Sequence, residues 1–270
     1  MERFRSGILA KRILTVMVVL PLFLFFTLKG GMYLFIFSIF VSIVGLYEFY
    51  EALKKCNKKP INWLGYLMVV ILLFSIYYKI DSAIYLSIFF IGTITLLMMN
   101  IFSEKDRMID SALTILGVIY IGVGFSYLLE LSRFDNKLII FIPFIISWGT
   151  DTFAYFTGRF FGKKKLYPRV SPKKTMEGAI GGIIGSVIIN YIFVYLYIKD
   201  ILAIIIIISL FGSVLSQLGD LLASKIKRTC GIKDFGKLLP GHGGILDRFD
   251  SSIVTIPFVY YVIHIFLMFK

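Results

Sequence analysis

Nine apolar runs separated by short charged connectors constrain this chain more than any other feature of it. They lie near residues 13 to 28, 32 to 50, 62 to 78, 83 to 102, 112 to 131, 138 to 161, 176 to 198, 201 to 223 and 251 to 269. A bilayer core of ~30 Å takes ~20 helical residues, so each run crosses once, the first and third near the short limit. The sixth contains Pro143, Gly149 and Asp151 and is expected to be broken or steeply tilted. Apolar residues make up 58% of the chain on a set that counts Tyr. Soluble domains carry roughly 45–50% on a set that counts Gly in its place. With 16 Tyr and 23 Gly, exchanging one for the other only widens the gap. A water-soluble globule is excluded, as are collagen-like, disordered and disulfide-rich secreted chains. The expected fold is all-α, a polytopic integral membrane protein of about nine transmembrane helices.

Lys and Arg on alternating connectors set the orientation of such a bundle. With the N-terminus cytoplasmic, 23 of the 29 fall on the inner side, in Arg3, Arg5, Lys11 and Arg12 and in the connectors 54–59, 103–111, 158–175 and 224–250. The outer side keeps Lys29, Lys79, Arg133, Lys137, Lys199 and Lys270. The N-terminus is therefore expected inside and the C-terminus outside, with the chain multi-pass in the cell inner (plasma) membrane. A basic inner face also suits anionic lipid headgroups. For the KKCNKK connector at 54–59, orientation is a sufficient explanation. The N-terminal cations before an apolar run resemble a signal peptide, but no small-residue cleavage site follows, so the run reads as the first span. Cys56 and Cys230 both sit in Lys-rich inner connectors without a CxxC partner, and are expected to be reduced and structurally unremarkable.

Connector length divides the chain. Residues 1–136 have short, simply charged connectors and read as a scaffold of spans 1 to 5. Residues 137–270 carry the two longest inner connectors, rich in Gly, Pro, cations and acids, and read as the region that carries the function, because irregular polar backbone at a membrane surface needs a reason. No internal repeat is evident.

The segment from Gly219 reads GDLLASKIKRTCGIKDFGKLLPGHGGILDRFD. In it Asp220, Asp234, Asp247 and Asp250 alternate with Lys225, Lys227, Arg228, Lys233, Lys237 and Arg248. Asp247 and Asp250 stand three apart and would share one helical face. Folding the connector back would bring Asp220, Asp247 and Asp250 together, the oxygen-rich arrangement that suits Mg²⁺, with the neighbouring cations left to clamp a phosphate. Plain charge neutralisation explains one Asp-x-x-Asp pair equally well. The added run Pro240-Gly241-His242-Gly243-Gly244 is too glycine-rich for a helix and lets backbone N–H groups close on a phosphate. Residues 231–237, GIKDFGK, imitate the start of a P-loop, but Leu238 replaces the required Ser or Thr and Pro240 blocks the following helix, so that reading is rejected.

Written S-x-I-K-R-x4-K-D-x-G-x2-L-P-x-H-G-G-x2-D-R-x-D, the stretch Ser224 to Asp250 resembles the signature of the phosphatidate cytidylyltransferases, or CDP-diacylglycerol synthases, at every specified position. The resemblance extends to Ser171-Pro172-Lys173-Lys174-Thr175 with Glu177-Gly178, and to Asp151-x-x-Ala154-Tyr155. It covers roughly residues 145 to 250 with specific motifs; before that it is only a matter of apolar spans. Ala223 stands where the family often carries an acid. The resemblance implies a Mg²⁺-dependent membrane nucleotidyltransferase that joins CTP and phosphatidate into CDP-diacylglycerol and pyrophosphate, with membrane lipids as surroundings, a homodimer left open and no nucleic acid partner. On that basis Asp220, Lys227, Arg228, Asp247 and Asp250 are candidate catalytic residues, with Asp220, Asp247 and Asp250 on the metal. Asp151, Ser171, Lys173, Lys174, Thr175, Glu177, Lys225, Lys233, Asp234, His242, Gly243, Gly244 and Arg248 are candidate substrate-binding residues. Chemically, a phosphate monoester is largely ionised near neutrality, so charge neutralisation and in-line placement matter more than a strong base.

Several of these residues have plainer readings. Thr175 can cap a helix that starts at Met176, and a capped helix explains most of its segment. Asp151 lies between apolar stretches, where a carboxylate is costly unless wetted or paired. Gly178, Gly181, Gly182 and Gly185 have the small-xxx-small spacing of tight helix packing. His264 is expected to be structural. The rival functions are a CTP-dependent lipid or polyprenol kinase and a transporter of anionic substrates. The latter lacks the mid-membrane ionisable groups expected of it, Asp151 apart.

Overall fold

The computed structural model describes residues 2–102 and 107–270, with side chains from residue 15 onward. The side chains of Arg3, Arg5, Lys11 and Arg12, and Lys105 altogether, lie outside the described residues. The helices are α1 (Glu2–Lys29), α2 (Gly31–Lys55), α3 (Asn62–Tyr77), α4 (Ser82–Met98), α5 (Met108–Gly117), α6 (Gly124–Leu131), α7 (Ile142–Phe161), α8 (Met176–Tyr197), α9 (Ile205–Thr229), α10 (Leu246–Phe249) and α11 (Ser252–Met268). A π-helical stretch, Val118–Val123, joins α5 to α6 without a break, and a 3₁₀ turn, Lys137–Phe141, leads into α7. Five helical segments are long and apolar enough to cross a membrane: Gly31–Lys55, Met108–Leu131, Lys137–Phe161, Met176–Tyr197 and Ile205–Thr229. Four shorter apolar helices, Thr15–Lys29, Asn62–Tyr77, Ser82–Met98 and Ser252–Met268, occupy the remaining apolar runs.

The chain forms two compact units, and neither is a continuous half. The first comprises Met1–Leu129 with Thr229–Arg248; the second comprises Glu130–Arg228 with Phe249–Lys270. The long connector after α9 thus folds with the N-terminal helices. Linear order conceals this, because a loop belongs to whatever surface it buries against.

In the first unit, Phe49 and Tyr50 of α2 are almost wholly buried. The Tyr50 hydroxyl donates to the Thr114 carbonyl at 2.9 Å, satisfying the one polar atom that the ring carries inward. Gly65 and Gly117 lie against that ring, where any side chain would collide with it. Thr114 Oγ1 in turn accepts from the Ile61 N–H at 2.8 Å and fixes the start of α3. Cys56 and Cys230 are joined as a disulfide, their Cα atoms 4.9 Å apart across 174 residues of sequence. This corrects the expectation of two unrelated thiols, which the sequence separation had hidden.

In the second unit α7 and α8 pack backbone to backbone. A Cβ on Gly182 would lie 2.8 Å from the Thr150 carbonyl oxygen, and one on Gly178 would lie 2.8 Å from that of Ala154. The small-residue stripe is therefore a packing device, as its spacing predicts. Of the break or steep tilt expected in the sixth run, the break is absent from α7: Pro143 sits in its first turn, where its missing N–H costs nothing, and the helix continues to Phe161. The all-α expectation also needs one amendment. Residues 165–175 form a small antiparallel hairpin, β1 (Lys165–Tyr167) with β2 (Ser171–Thr175), turned at Tyr167-Pro168-Arg169-Val170 by the Val170 N–H donating to the Tyr167 carbonyl. Proline at the second position of a four-residue turn presets its φ, and Val170 is buried. Ser147 of α7 and Thr255 of α11 share a buried hydrogen bond of 3.0 Å.

Candidate active site

The second unit holds a cavity of about 350 Å³. Asp151, Tyr155 and Arg159 line it from α7, Ser171, Lys173, Lys174 and Thr175 from β2, and Gln217 from α9. Successive spacings of four residues put Asp151, Tyr155 and Arg159 on one face of α7. Arg159 Nη1 donates to the Tyr155 hydroxyl at 3.0 Å. Gln217 Nε2 donates to the Ala179 carbonyl at 3.1 Å, which ties α9 to the first turn of α8. Thr175 caps α8 as expected, its hydroxyl accepting from the Gly178 N–H at 3.1 Å. Glu177 is engaged in holding the connector: its carboxylate accepts from the Lys163 N–H at 3.0 Å and the Lys164 N–H at 3.2 Å.

Two further acids adjoin this lining. Lys174 forms an ion pair with Asp220, and Lys227 Nζ stands 3.5 Å from Asp250 Oδ2. Asp250 is buried, and its Oδ1 accepts from the Ser251 N–H at 2.9 Å. Burial, with the negative charge of Asp220 adding to it, pushes the Asp250 carboxyl up to about 7, although Lys227 opposes the shift. Asp151 adds a further, smaller repulsion. Two neighbouring carboxylates offer the oxygen donors that a hard cation takes. Towards the end of α9, Lys225 and Arg228 are exposed and Ala223 is fully buried.

The remaining predicted residues lie in the first unit, on the segment that follows α9 and in the start of α10. Leu239 to His242 form a tight turn: the His242 N–H donates to the Leu239 carbonyl at 2.9 Å, Pro240 takes the second position, and Gly241 adopts φ +77°. That left-handed value is the reason for glycine there. Gly243, at φ +85°, returns the chain so that its carbonyl accepts from the Leu239 N–H at 2.8 Å. Lys233, Asp234 and Arg248 are exposed. Asp247 is buried, and its Oδ2 accepts from the N–H groups of Phe235 at 2.8 Å, Gly244 at 2.9 Å and Gly236 at 3.5 Å.

The expected trio of metal-binding carboxylates is therefore not found as a cluster. Among the described residues no three His, Cys, Asp or Glu side chains are grouped to hold a metal ion. Asp220 and Asp250 come together, whereas Asp247 gathers backbone amides. A divalent cation that keeps water and takes substrate phosphates needs only one or two protein carboxylates, so this pair fits Mg²⁺.

Sequence reasoning missed Arg159 and Gln217, and above all Glu48. Glu48 is 4% exposed in α2. Its Oε1 accepts from the Ile245 N–H at 3.1 Å and its Oε2 from the Leu246 N–H at 2.8 Å. The signal was present: an acid within an apolar run is expensive, the argument that singles out Asp151.

Carboxylates interleaved with Lys and Arg around a pocket, on helices apolar enough to cross a bilayer, define a membrane protein equipped to handle phosphorylated substrates. Comparison with known proteins narrows the class. Residues 10–266 match the model of the Cytidylyltransferase family. The chain is 38% identical over 254 residues to a phosphatidate cytidylyltransferase of Staphylococcus saprophyticus, covering 91% of this chain and 95% of that one. It is 34% identical over 266 residues to the enzyme of that name from Bacillus subtilis, covering 95% and 98%. The Staphylococcus aureus counterpart is 37% identical over 260 residues. The chain belongs to the cytidylyltransferase family.

Proposed function

We propose that this protein transfers the cytidylyl group of CTP to phosphatidate, giving CDP-diacylglycerol and pyrophosphate for phospholipid synthesis. The observation that carries the reading is the buried Asp250 beside Asp220, each facing a lysine, at the edge of a cavity lined by further cations. An oxygen of the phosphatidate phosphate attacks the α-phosphorus of CTP; a new P–O bond forms, the bond from the α-phosphorus to the α,β-bridging oxygen breaks, and pyrophosphate leaves with that electron pair. The attacking oxygen is already anionic near neutral pH, so no strong base is needed. Lys173, Lys174 and Arg159 orient phosphate oxygens, Lys227 and Arg228 balance charge on the departing pyrophosphate, and Asp151 and Ser171 border the pocket. Asp220 and Asp250 would hold Mg²⁺, which would supply Lewis-acid neutralisation of the phosphate charge. Asp247, expected as a third ligand, is assigned instead to shaping the loop that carries Lys233, Asp234, His242, Gly243, Gly244 and Arg248, which receives the nucleotide.

The same reading takes all nine apolar runs as spans, the N-terminus as cytoplasmic and the site as facing the cytoplasm, supported by the 23 inner cations. CTP then arrives from water and phosphatidate sideways from the leaflet. The test is purified protein with CTP, phosphatidate and Mg²⁺, scoring pyrophosphate against a no-lipid control and identifying the lipid product. CDP-diacylglycerol is expected; release of CDP with a newly phosphorylated lipid would make the protein a CTP-dependent kinase.

A further inference from the structure

Glu48 is a carboxylate buried within the apolar part of α2, and the hydrogen bonds it accepts come from main chain 197 and 198 positions away. Besides accepting from Ile245 and Leu246, it is pressed by Gly236 and Gly244, where a Cβ would run into its oxygens. Asp247 gathers the N–H groups of Phe235, Gly236 and Gly244 from the same segment. Residues 235–247 are thus folded around two acidic side chains, one contributed by the loop itself and one by α2. Isolated carboxylates are not buried without compensation, and charge-assisted bonds to backbone N–H groups are the compensation here. The glycines at 236 and 244 follow from this: only hydrogen leaves room for the Glu48 oxygens.

We propose that Glu48 is a positioning residue that locks the glycine-rich segment in its nucleotide-receiving shape, acting through the backbone of Ile245 and Leu246 without touching substrate. This rests on the reading above, that the segment receives CTP. It extends the working parts of the enzyme into helices that otherwise read as scaffold.

The experiment pairs Glu48→Gln with Gly244→Ala in the full-length purified protein. The amide keeps the volume but loses the charge and turns an N–H toward one of the two donors; the alanine attacks the same contact from the loop side. Both variants are expected to speed hydrogen exchange at the amides of 235–247, with protection in α2, α3 and α5 retained. Both are expected to raise KM for CTP about tenfold, the size of one charged hydrogen bond, with KM for phosphatidate within about twofold of the parent. Unchanged exchange in the segment, or an unchanged KM for CTP, overturns the proposal. So does a loss of protection throughout α2, α3 and α5, which would make Glu48 a packing residue. If the parent protein forms no CDP-lipid, the functional reading fails separately, and the exchange data still decide whether Glu48 holds the segment.

Discussion

At the scale of single residues, the behaviour of each charged side chain follows from how it is compensated. Asp220 pairs with Lys174, Asp250 stands 3.5 Å from Lys227, and the two carboxylates lie close enough to repel; on the proposed reading, neutralising either would remove one ligand of the cation. Asp220→Asn and Asp250→Asn are each expected to lower CDP-diacylglycerol formation by at least about a hundredfold, with membrane insertion unchanged, as read by product assay and by fractionation. Lys54 is the contrasting case. It pairs with Glu51 at 2.6 Å on an exposed face, a contact worth roughly 0–1 kcal/mol. Lys54→Ala is expected to keep turnover within about twofold of the parent. The same contrast explains what could be read in advance. Asp220, Lys227 and Asp250 stand in a segment whose residue types already suggest phosphate and metal, whereas Glu48 has no motif and takes its meaning from partners far along the chain.

At the scale of elements, helix ends and helix contacts were more legible than loops. The cap at Thr175 and the glycine stripe on α8 are local patterns that the sequence states directly. Thr175→Ala should cost about 1 kcal/mol, lowering the melting temperature by about 2–4 °C for a chain of this size. Gly182→Ala should cost about 1–3 kcal/mol, because the Thr150 carbonyl it would meet is backbone and can yield only if α7 moves. Calorimetry or dye-monitored melting in detergent checks both. The hairpin at 165–175 was not foreseen. Its strands are only three and five residues long, too short for alternation to stand out from a run of lysines. The expected break in α7 did not occur because a proline in the first turn is compatible with a helix.

At the scale of the whole molecule, the polytopic helical character was plain from the apolar runs, since each run must satisfy its own backbone in lipid. What the runs could not reveal is which connector folds with which helices. Cys56 and Cys230 illustrate this, lying 174 residues apart yet bonded. Closing so long a loop stabilises a fold by roughly 2–5 kcal/mol, so oxidised protein is expected to melt several degrees above reduced protein or the Cys56→Ser variant, with the bridge itself verified by peptide mass mapping. In a reducing cytoplasm the pair would stand as two adjacent thiols, ready to close under oxidation.

The chain leaves the second unit after Arg228 and rejoins it at Phe249. Halves cut from this protein are consequently not heritable modules. A gene fragment encoding only the C-terminal portion would carry the glycine-rich stretch away from Glu48, and one encoding only the N-terminal portion would leave that glutamate with nothing to hold. Recombination or domain fusion at the midpoint would therefore separate a side chain from the backbone it serves, and such a lineage could be rescued only by bringing both pieces back together in one membrane.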